Sequence, residues 1–358
     1  MTGPRYQNRH QNTDTMEDPR VIGSRFTLDD RLPADYLAAS LRADVVRGLS
    51  ASPKTLPPKW FYDELGSKLF ELITELPEYY PTRAEQEILE QRATEIAELS
   101  RAQTLVELGS GSSRKTRVLL DALTELGTIE TYAPLDVSPS ALREAGEALC
   151  DDYRPLRVSA TVTDFEVDLA LPSGDGPRLV AFLGGTLGNF DTASRAGFYR
   201  NLRDALGPDD SLLLGVDLVK NPDVLVPAYD DRQGVTALFN KNVLNVVNRE
   251  LGADFDPDAF GHVALWNAHK ERIEMHLRSL TRQTVRIPML GMAPEFGDGE
   301  LLRTEISVKF RRAGLVGELA NGGFGVRRWW TDKAGRFALL LAIPARVTGV
   351  EYSSVMNT

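Results

Sequence analysis

The sequence predicts an α/β protein in which a mostly parallel sheet, wrapped by helices and closed by an antiparallel last strand, carries a smaller α+β domain. Three observations predict it. Short apolar runs alternate with segments of helical spacing up to about residue 220, the pattern of βα units around a buried parallel sheet. The first of these runs, Thr104-Leu105-Val106-Glu107-Leu108, opens into Gly109-Ser110-Gly111, a turn that gathers backbone N–H groups and a helix N-terminus at one point, where nucleotide-like ligands bind. Past Asn221-Pro222-Asp223 the alternation stops and period-two runs follow, as in Arg272 to Arg278 and Arg303 to Phe310, which places an insertion before the final hairpin.

The composition narrows the function. A chain of 358 residues is long enough for one large domain or two closely joined ones. A net charge of −10 argues against a nucleic-acid or anionic-membrane partner, since both select for basic surfaces. The single cysteine, Cys150, excludes an internal disulfide, and the four histidines offer no paired ligand spacing for zinc. His262, His269 and His276 recur every seven residues, but the last falls in a strand pattern and the spacing is read as coincidence. With no signal peptide and no apolar run of spanning length, a cytoplasmic, monomeric enzyme of small-molecule chemistry without a metal is expected.

In chain order, the first residues are polar and low in apolar content, so residues 1–30 are expected to be a disordered extension, with Met16 a candidate start. Tyr36 to Leu49 has amphipathic helical spacing and ends at the Ser50 to Pro53 break. Proline-punctuated, aromatic segments follow on either side of a short helix, Pro57-Pro58-Lys59-Trp60-Phe61-Tyr62-Asp63 and Leu76-Pro77-Glu78-Tyr79-Tyr80-Pro81-Thr82-Arg83. Trp60, Phe61 and Tyr80 fit simple packing, whereas Tyr62 and Tyr79 carry hydroxyls that need partners, which a ligand can supply. A helix from Ala84 to Ser100 precedes the glycine turn.

The turn itself excludes two ligands. A dinucleotide fingerprint needs a small residue at Arg114, and a phosphate loop, although matched at Gly109, Lys115 and Thr116, fails at the same arginine. Acid-x-Gly-x-Gly after a strand resembles instead the loop of class I S-adenosylmethionine-dependent methyltransferases, with a Rossmann-like sheet; a turn serving only helix–strand packing is the alternative. Asp136 ends the second strand, where a ribose would lie, although Asp136-Val137-Ser138-Pro139 also reads as a helix cap. Asp164 and Phe165 follow the third strand, suited to an adenine amine and ring. The fourth strand empties into Gly184-Gly185-Thr186-Leu187-Gly188-Asn189, where glycines permit close approach and Asn189 supplies a donor and an acceptor. A fifth strand, Ser211 to Val219, completes five βα units. Residues 224–252 read as helical. On the strand Arg303 to Phe310, alternation gives Ile306, Val308 and Phe310 the core face and leaves Glu305 and Ser307 side by side on the other, either as a grip for a polar ring or as a solvated face.

Taken together, the two aromatic segments, Glu107-Leu108-Gly109-Ser110-Gly111, Gly188-Asn189 and Thr304-Glu305-Ile306-Ser307-Val308-Lys309-Phe310 resemble the histidine-specific Nα-methyltransferases of ergothioneine biosynthesis, from about Tyr36 to Leu341. The resemblance implies conversion of L-histidine to its trimethyl betaine, hercynine, with S-adenosylmethionine as co-substrate. It implies a cofactor domain of residues 84–220 and 309–346, a substrate domain of 31–83 and 221–308, and a frayed tail at 347–358. For the cofactor it points to Glu107, Gly109, Lys115, Asp136, Asp164 and Phe165. For the substrate it points to Asn189 and Tyr229, which hold the amino acid's carboxylate and amine and are the catalytic candidates, with Gly184 and Thr186 nearby. Glu305 and Ser307 would hold the imidazole, Tyr62 would reach its other nitrogen, and Tyr79 and Met275 would wall the pocket. Gly185 stands where that family carries a serine. An Nα-methyltransferase of a tryptophan derivative and a non-catalytic S-adenosylmethionine-binding regulator are the alternatives.

Overall fold

The structure is a computed structural model and describes residues 25–111, 113, 115–169, 171–172 and 176–345. Met16, Arg114 and the tail at 347–358 lie outside the described residues, as does the proposed extension up to residue 24.

The chain begins with β1 (Phe26–Asp30), then three helices, α1 (Tyr36–Ser50), α2 (Glu64–Glu75) and α3 (Pro81–Ser100). The βα region follows as β2 (Thr104–Leu108), α4 (Thr116–Leu126), β3 (Thr131–Asp136), α5 (Pro139–Asp152), β4 (Arg157–Val162), β5 (Arg178–Phe182), α6 (Thr192–Ala205) and β6 (Ser211–Asp217). The insertion contains α7 (Pro222–Leu225), α8 (Val235–Leu251), β7 (Phe260–Asn267), β8 (Arg272–Ser279), β9 (Gln283–Thr284), β10 (Glu295–Phe296) and β11 (Leu301–Val308). The chain closes with α9 (Arg312–Asn321), β12 (Phe324–Thr331) and β13 (Phe337–Pro344).

Local chemistry starts and stops these elements where the sequence changes. Asp63, Ser138 and Asp191 accept a backbone N–H of the first turn of α2, α5 and α6, satisfying donors that have no partner inside a helix. Gly127, at φ +74°, ends α4 in the left-handed conformation that glycine adopts without a Cβ clash. Strands β2, β5 and β6 lie inside the sheet and are apolar on both faces. Leu212, Leu213 and Leu214 are fully buried, so each is worth roughly 2–5 kcal/mol against truncation to alanine.

The main sheet has the order β1-β4-β3-β2-β5-β6-β13-β12. It is parallel as far as β6, and β13 then runs antiparallel to both β6 and β12. The expected fold is therefore present. Strand β2 sits between β3 and β5, so the order of the sheet reverses at its carboxyl end, where ligands of open α/β sheets bind. A second sheet, β11-β8-β7, is antiparallel and packs beside α8. No helix among the described residues is long and apolar enough to cross a membrane.

Four details differ from the sequence-based expectations. The expected disorder up to residue 30 ends earlier: Phe26–Asp30 pairs in parallel with β4 as an edge strand. Such a strand is held by backbone bonds and needs little apolar content. Strand β4 reaches β5 with no helix among the described residues, so the units are not all βα. The helical stretch 224–252 is broken at Tyr229 to Gly234, which sets Tyr229 in a loop. Finally, β7 joins the two expected strands of the insertion.

Candidate active site

At the carboxyl ends of β2, β3 and β4 the expected cofactor residues come together. Gly109 and Gly111 adopt φ of +68° and +50°, and Gly109 N–H donates to the Leu135 carbonyl at 2.8 Å, which ties the turn to β3. Asp136 accepts from Gly111 N–H at 3.2 Å and from Ser138 N–H at 3.0 Å, which ties it to the glycine turn, while the helix-capping role falls to Ser138 rather than to Asp136. The Phe165 ring lies 3.6 Å from the point where a Cβ on Gly109 would sit, closing one side of the turn. Ser110 Oγ is buried there with no hydrogen-bond partner. An unpartnered hydroxyl in a glycine turn flanked by Asp136 and Phe165 fits a polar cofactor.

Three cofactor candidates have protein partners as well. Glu107 Oε2 accepts from Thr116 and Tyr132, both at 2.5 Å, and burial pushes its carboxyl up to about 7 against those two bonds. Its first task is internal, joining β2 to α4 and β3, and a ligand ammonium would share it. Lys115 Nζ is paired with Glu85, a fully buried carboxylate of α3 that also accepts from Gly184 N–H at 2.8 Å. A Cβ on Gly215 would lie 2.0 Å from Glu85 Oε1, so β6 is glycine where this acid crosses it. Asp164 accepts from Tyr36 of α1 at 2.8 Å, and Tyr36 is pushed up to about 12 by burial and by this carboxylate.

The substrate candidates also converge. Ser307 of β11 and Lys309 just past its end are buried, whereas Ile306 and Val308 are half-buried. The face carrying Glu305 and Ser307 lies opposite Met275 and Ile273 of β8. The assignment of Ile306, Val308 and Phe310 to the core face holds for Phe310, which is buried in the apolar core, and for Val308, which packs against it, but the other face is buried too, so it is not a solvated one. A bulge between Arg303 and Glu305 sets the phase, and Thr304 Oγ1 donates across it to Asn240 Oδ1 of α8 at 2.6 Å.

Asn189 Nδ2 reaches Glu305 Oε1 at 3.4 Å. The preceding Gly188 explains how, since a Cβ there would meet the Val308 carbonyl oxygen at 2.8 Å. Gly188→Ala is therefore expected to push β11 off this loop and raise the histidine KM about tenfold, at the low end of overpacking costs, with S-adenosylhomocysteine affinity unchanged by calorimetry. Gly184 and Gly185 have φ of +77° and +73°, so glycine at 185 avoids the strain that a serine would carry. Thr186 Oγ1 bonds within this turn, to the Leu183 carbonyl at 3.2 Å.

Tyr229 Oη lies 2.9 Å from Ser307 Oγ, and its ring centroid is 6.3 Å from that of Tyr79. Tyr62 is 48 % exposed, yet burial of its hydroxyl, with Glu305 and Tyr229 next, pushes it far above the phenol range. A ring open to solvent with a crowded hydroxyl lines a cleft. Glu305 is pushed up to about 7, by burial first, with Lys309 and Asn189 pulling it back. Outward from Glu305 and Asn189 runs a cavity of about 300 Å³, past Arg303, Lys59, Asp44 and Glu166.

Several functional positions were not singled out by sequence reasoning. Lys309 Nζ contacts Tyr229 Oη at 2.8 Å, Ser307 Oγ at 2.9 Å and Asp217 Oδ2 at 2.8 Å. Asp217 also takes Lys220 and Tyr80, at 2.6 and 2.7 Å. His262 accepts from Asn240 Nδ2 on Nδ1 and donates from Nε2 to the Tyr229 carbonyl, both at 2.8 Å, which fixes the Tyr229 loop. Burial lowers this imidazole and favours the neutral form that the arrangement needs. Lys309 was within reach, because the period that pairs 305 with 307 continues to 309, and Asp217 ends a parallel strand. Glu85, in mid-helix, gave no signal.

A sheet that reverses order at an acid-flanked glycine turn, with a polar and aromatic pocket beside it, defines a class I methyltransferase. The chain belongs to the family of histidine-specific, S-adenosylmethionine-dependent methyltransferases, matching it over residues 41–344. It is 54 % identical over 317 residues to a histidine N-alpha-methyltransferase of Mycolicibacterium smegmatis, covering 88 % of this chain and 99 % of that one. It is 36 % identical over 205 residues to ergothioneine biosynthesis protein 1 of Neurospora crassa, covering 56 % and 23 %. A 4-dimethylallyltryptophan N-methyltransferase of Claviceps fusiformis is 35 % identical over 253 residues, covering 64 % and 71 %.

Proposed function

We infer that the protein transfers three methyl groups from S-adenosylmethionine to the α-amino group of L-histidine, giving hercynine for ergothioneine biosynthesis, and that it works as a cytoplasmic monomer. The observation that carries the choice of histidine is the 305/307/309 run at the end of β11, where Glu305, paired with Met275, is followed on the same side by the buried hydroxyl of Ser307 and the buried ammonium of Lys309. Buried polar groups of this kind are left unpaired by an indole, which brings only a donor. The names of the Mycolicibacterium and Neurospora relatives agree with this reading.

When bound, S-adenosylmethionine supplies an activated methyl on a sulfonium. The task left to the chain is orientation. Residues 84–220 and 309–346 would hold the cofactor through Gly109, Lys115, Asp136, Asp164 and Phe165. Residues 31–83 and 221–308 would hold the amino acid, with Glu305 and Ser307 on its ring, Tyr62 and Tyr79 around it, and Asn189 and Tyr229 on its carboxylate and amine. The amine must be neutral to attack, so a proton leaves before each transfer. Tyr229 is the candidate relay, through its hydrogen bond with Ser307 Oγ at 2.9 Å.

Incubating the protein with S-adenosylmethionine and each amino acid in turn tests the reading by mass spectrometry. Three successive methyl increments on histidine, and none on tryptophan or 4-dimethylallyltryptophan, are expected. Methylation of the indole substrates instead, or cofactor binding with no turnover on any amino acid, would overturn it.

A further inference from the structure

The fully buried Lys309 is not needed to hold either ligand directly, yet its ammonium touches the hydroxyls of Tyr229 and Ser307. Its three N–H donors have three acceptors: Asp217 Oδ2 at 2.8 Å, Tyr229 Oη at 2.8 Å and Ser307 Oγ at 2.9 Å. An ammonium accepts nothing, so neither hydroxyl proton can point back at it. The two hydroxyls are also 2.9 Å from each other, a single O–H···O bond that uses one of their two protons. The other proton has no acceptor among the contacts of these two oxygens and is available to a ligand.

We propose that Lys309 is a positioning residue that, by donating to both hydroxyls, keeps either from pointing back at it, so that the Tyr229–Ser307 pair offers one O–H donor to the substrate ring while Glu305 offers an acceptor. This rests on the histidine reading above and deepens it. A ring that satisfies both sides must carry one N–H and one bare nitrogen. Neutral imidazole does; indole and imidazolium carry donors only. Asp217 keeps the ammonium charged and is itself held on its other oxygen by Lys220, at 2.6 Å, so the device is anchored on β6 rather than on the pocket wall. The period-two run at the end of β11 continues to Lys309, which makes the acceptor, the oriented hydroxyl and the orienting cation parts of one short segment.

The test uses calorimetric binding of L-histidine and L-tryptophan to the protein saturated with S-adenosylhomocysteine. Lys309→Met is expected to lower histidine affinity at least about tenfold, the loss of one charge-assisted hydrogen bond, and to narrow the preference over tryptophan while S-adenosylhomocysteine binding stays as in the parent. Lys309→Gln, which offers an acceptor as well as donors and so lets a hydroxyl point back at it, is expected to behave likewise and serves where the methionine variant does not fold. In a Tyr229→Phe/Ser307→Ala background the same Lys309 substitutions should cost nothing further, because the pair they act through is gone. Parental histidine affinity in the folded variants would overturn the inference. So would a loss that persists in the double background, or one that S-adenosylhomocysteine binding shares. Failure of the parent to bind histidine would overturn the underlying reading itself and is seen without any change at Lys309.

Discussion

Glu305→Ala is expected to weaken histidine binding by about 10²-fold, the ~3 kcal/mol lost with a charged hydrogen-bond partner, and to leave S-adenosylmethionine binding unchanged. The separation follows from the fold. Glu305 stands on β11 of the three-stranded sheet, whereas the glycine turn, Asp136 and Asp164 stand on the main sheet. The same carboxylate gives a pH signature with a definite sign. Burial pushes Glu305 up to about 7, in surroundings that also include Asn189, Lys309, Tyr62, Tyr79 and Tyr229. Its accepting, ionised form dominates only above that value, so histidine affinity falls as pH drops through it. In the ligand-free protein the linkage runs the other way. A raised acid binds its proton more tightly folded than unfolded, so its contribution to stability declines as pH rises from the ordinary glutamate value toward 7. Glu305→Gln removes both effects. Calorimetric titration of histidine across this range, against the two variants, is the check; unchanged histidine affinity in Glu305→Ala would refute the assignment of the ring site.

Asp217→Ala is expected to be the most destabilising polar substitution near the site, at about 3–5 kcal/mol, because it leaves buried charge uncompensated. Asp217 is buried between Lys309 and Lys220, at 2.8 and 2.6 Å, with Tyr80 on the same carboxylate at 2.7 Å. Burial alone would raise its carboxyl, but the two ammonium groups hold it below the usual range. On Lys309 burial is likewise overruled, by Asp217 and Tyr229, whereas Lys220 is lowered to about 8 by burial despite Asp217. The sign for Asp217 is that of a depressed acid. Its stabilisation is complete above the ordinary aspartate value and is lost as pH falls through its lowered one. Urea denaturation of Asp217→Ala at neutral pH measures the effect directly, and a change under about 1 kcal/mol, the scale of an exposed ion pair, would contradict it.

Helix and strand positions of the βα region were legible because its helices are periodic, its strands are continuous apolar runs, and both are bounded by proline, glycine or a capping residue. Phe26–Asp30 and β7 were not. An edge strand is stabilised by a neighbour's backbone, and β7 shows only weak alternation, with two of its eight residues buried. The burial of both faces at the end of β11 was only partly foreseen for a related reason. Alternation identifies which residues share a side, but not which side is buried. Here the second buried side is polar because Asp217, Tyr229 and Asn189 come from elsewhere in the chain to satisfy it.

Residue order alone was enough for the α/β fold and the methyl donor, through the alternation of apolar runs with helical segments and the family's motifs, and it singled out Glu305 and Ser307 as the proposed ring-binding pair. Tertiary structure decided how those groups are charged and aimed. Glu85 meets Lys115 and Gly184, Tyr36 meets Asp164, and Lys309 meets Tyr229 only after segments 30 to 128 positions apart are packed together. Hydrogen-bond polarity and burial are properties of that packing, and no local pattern carries them.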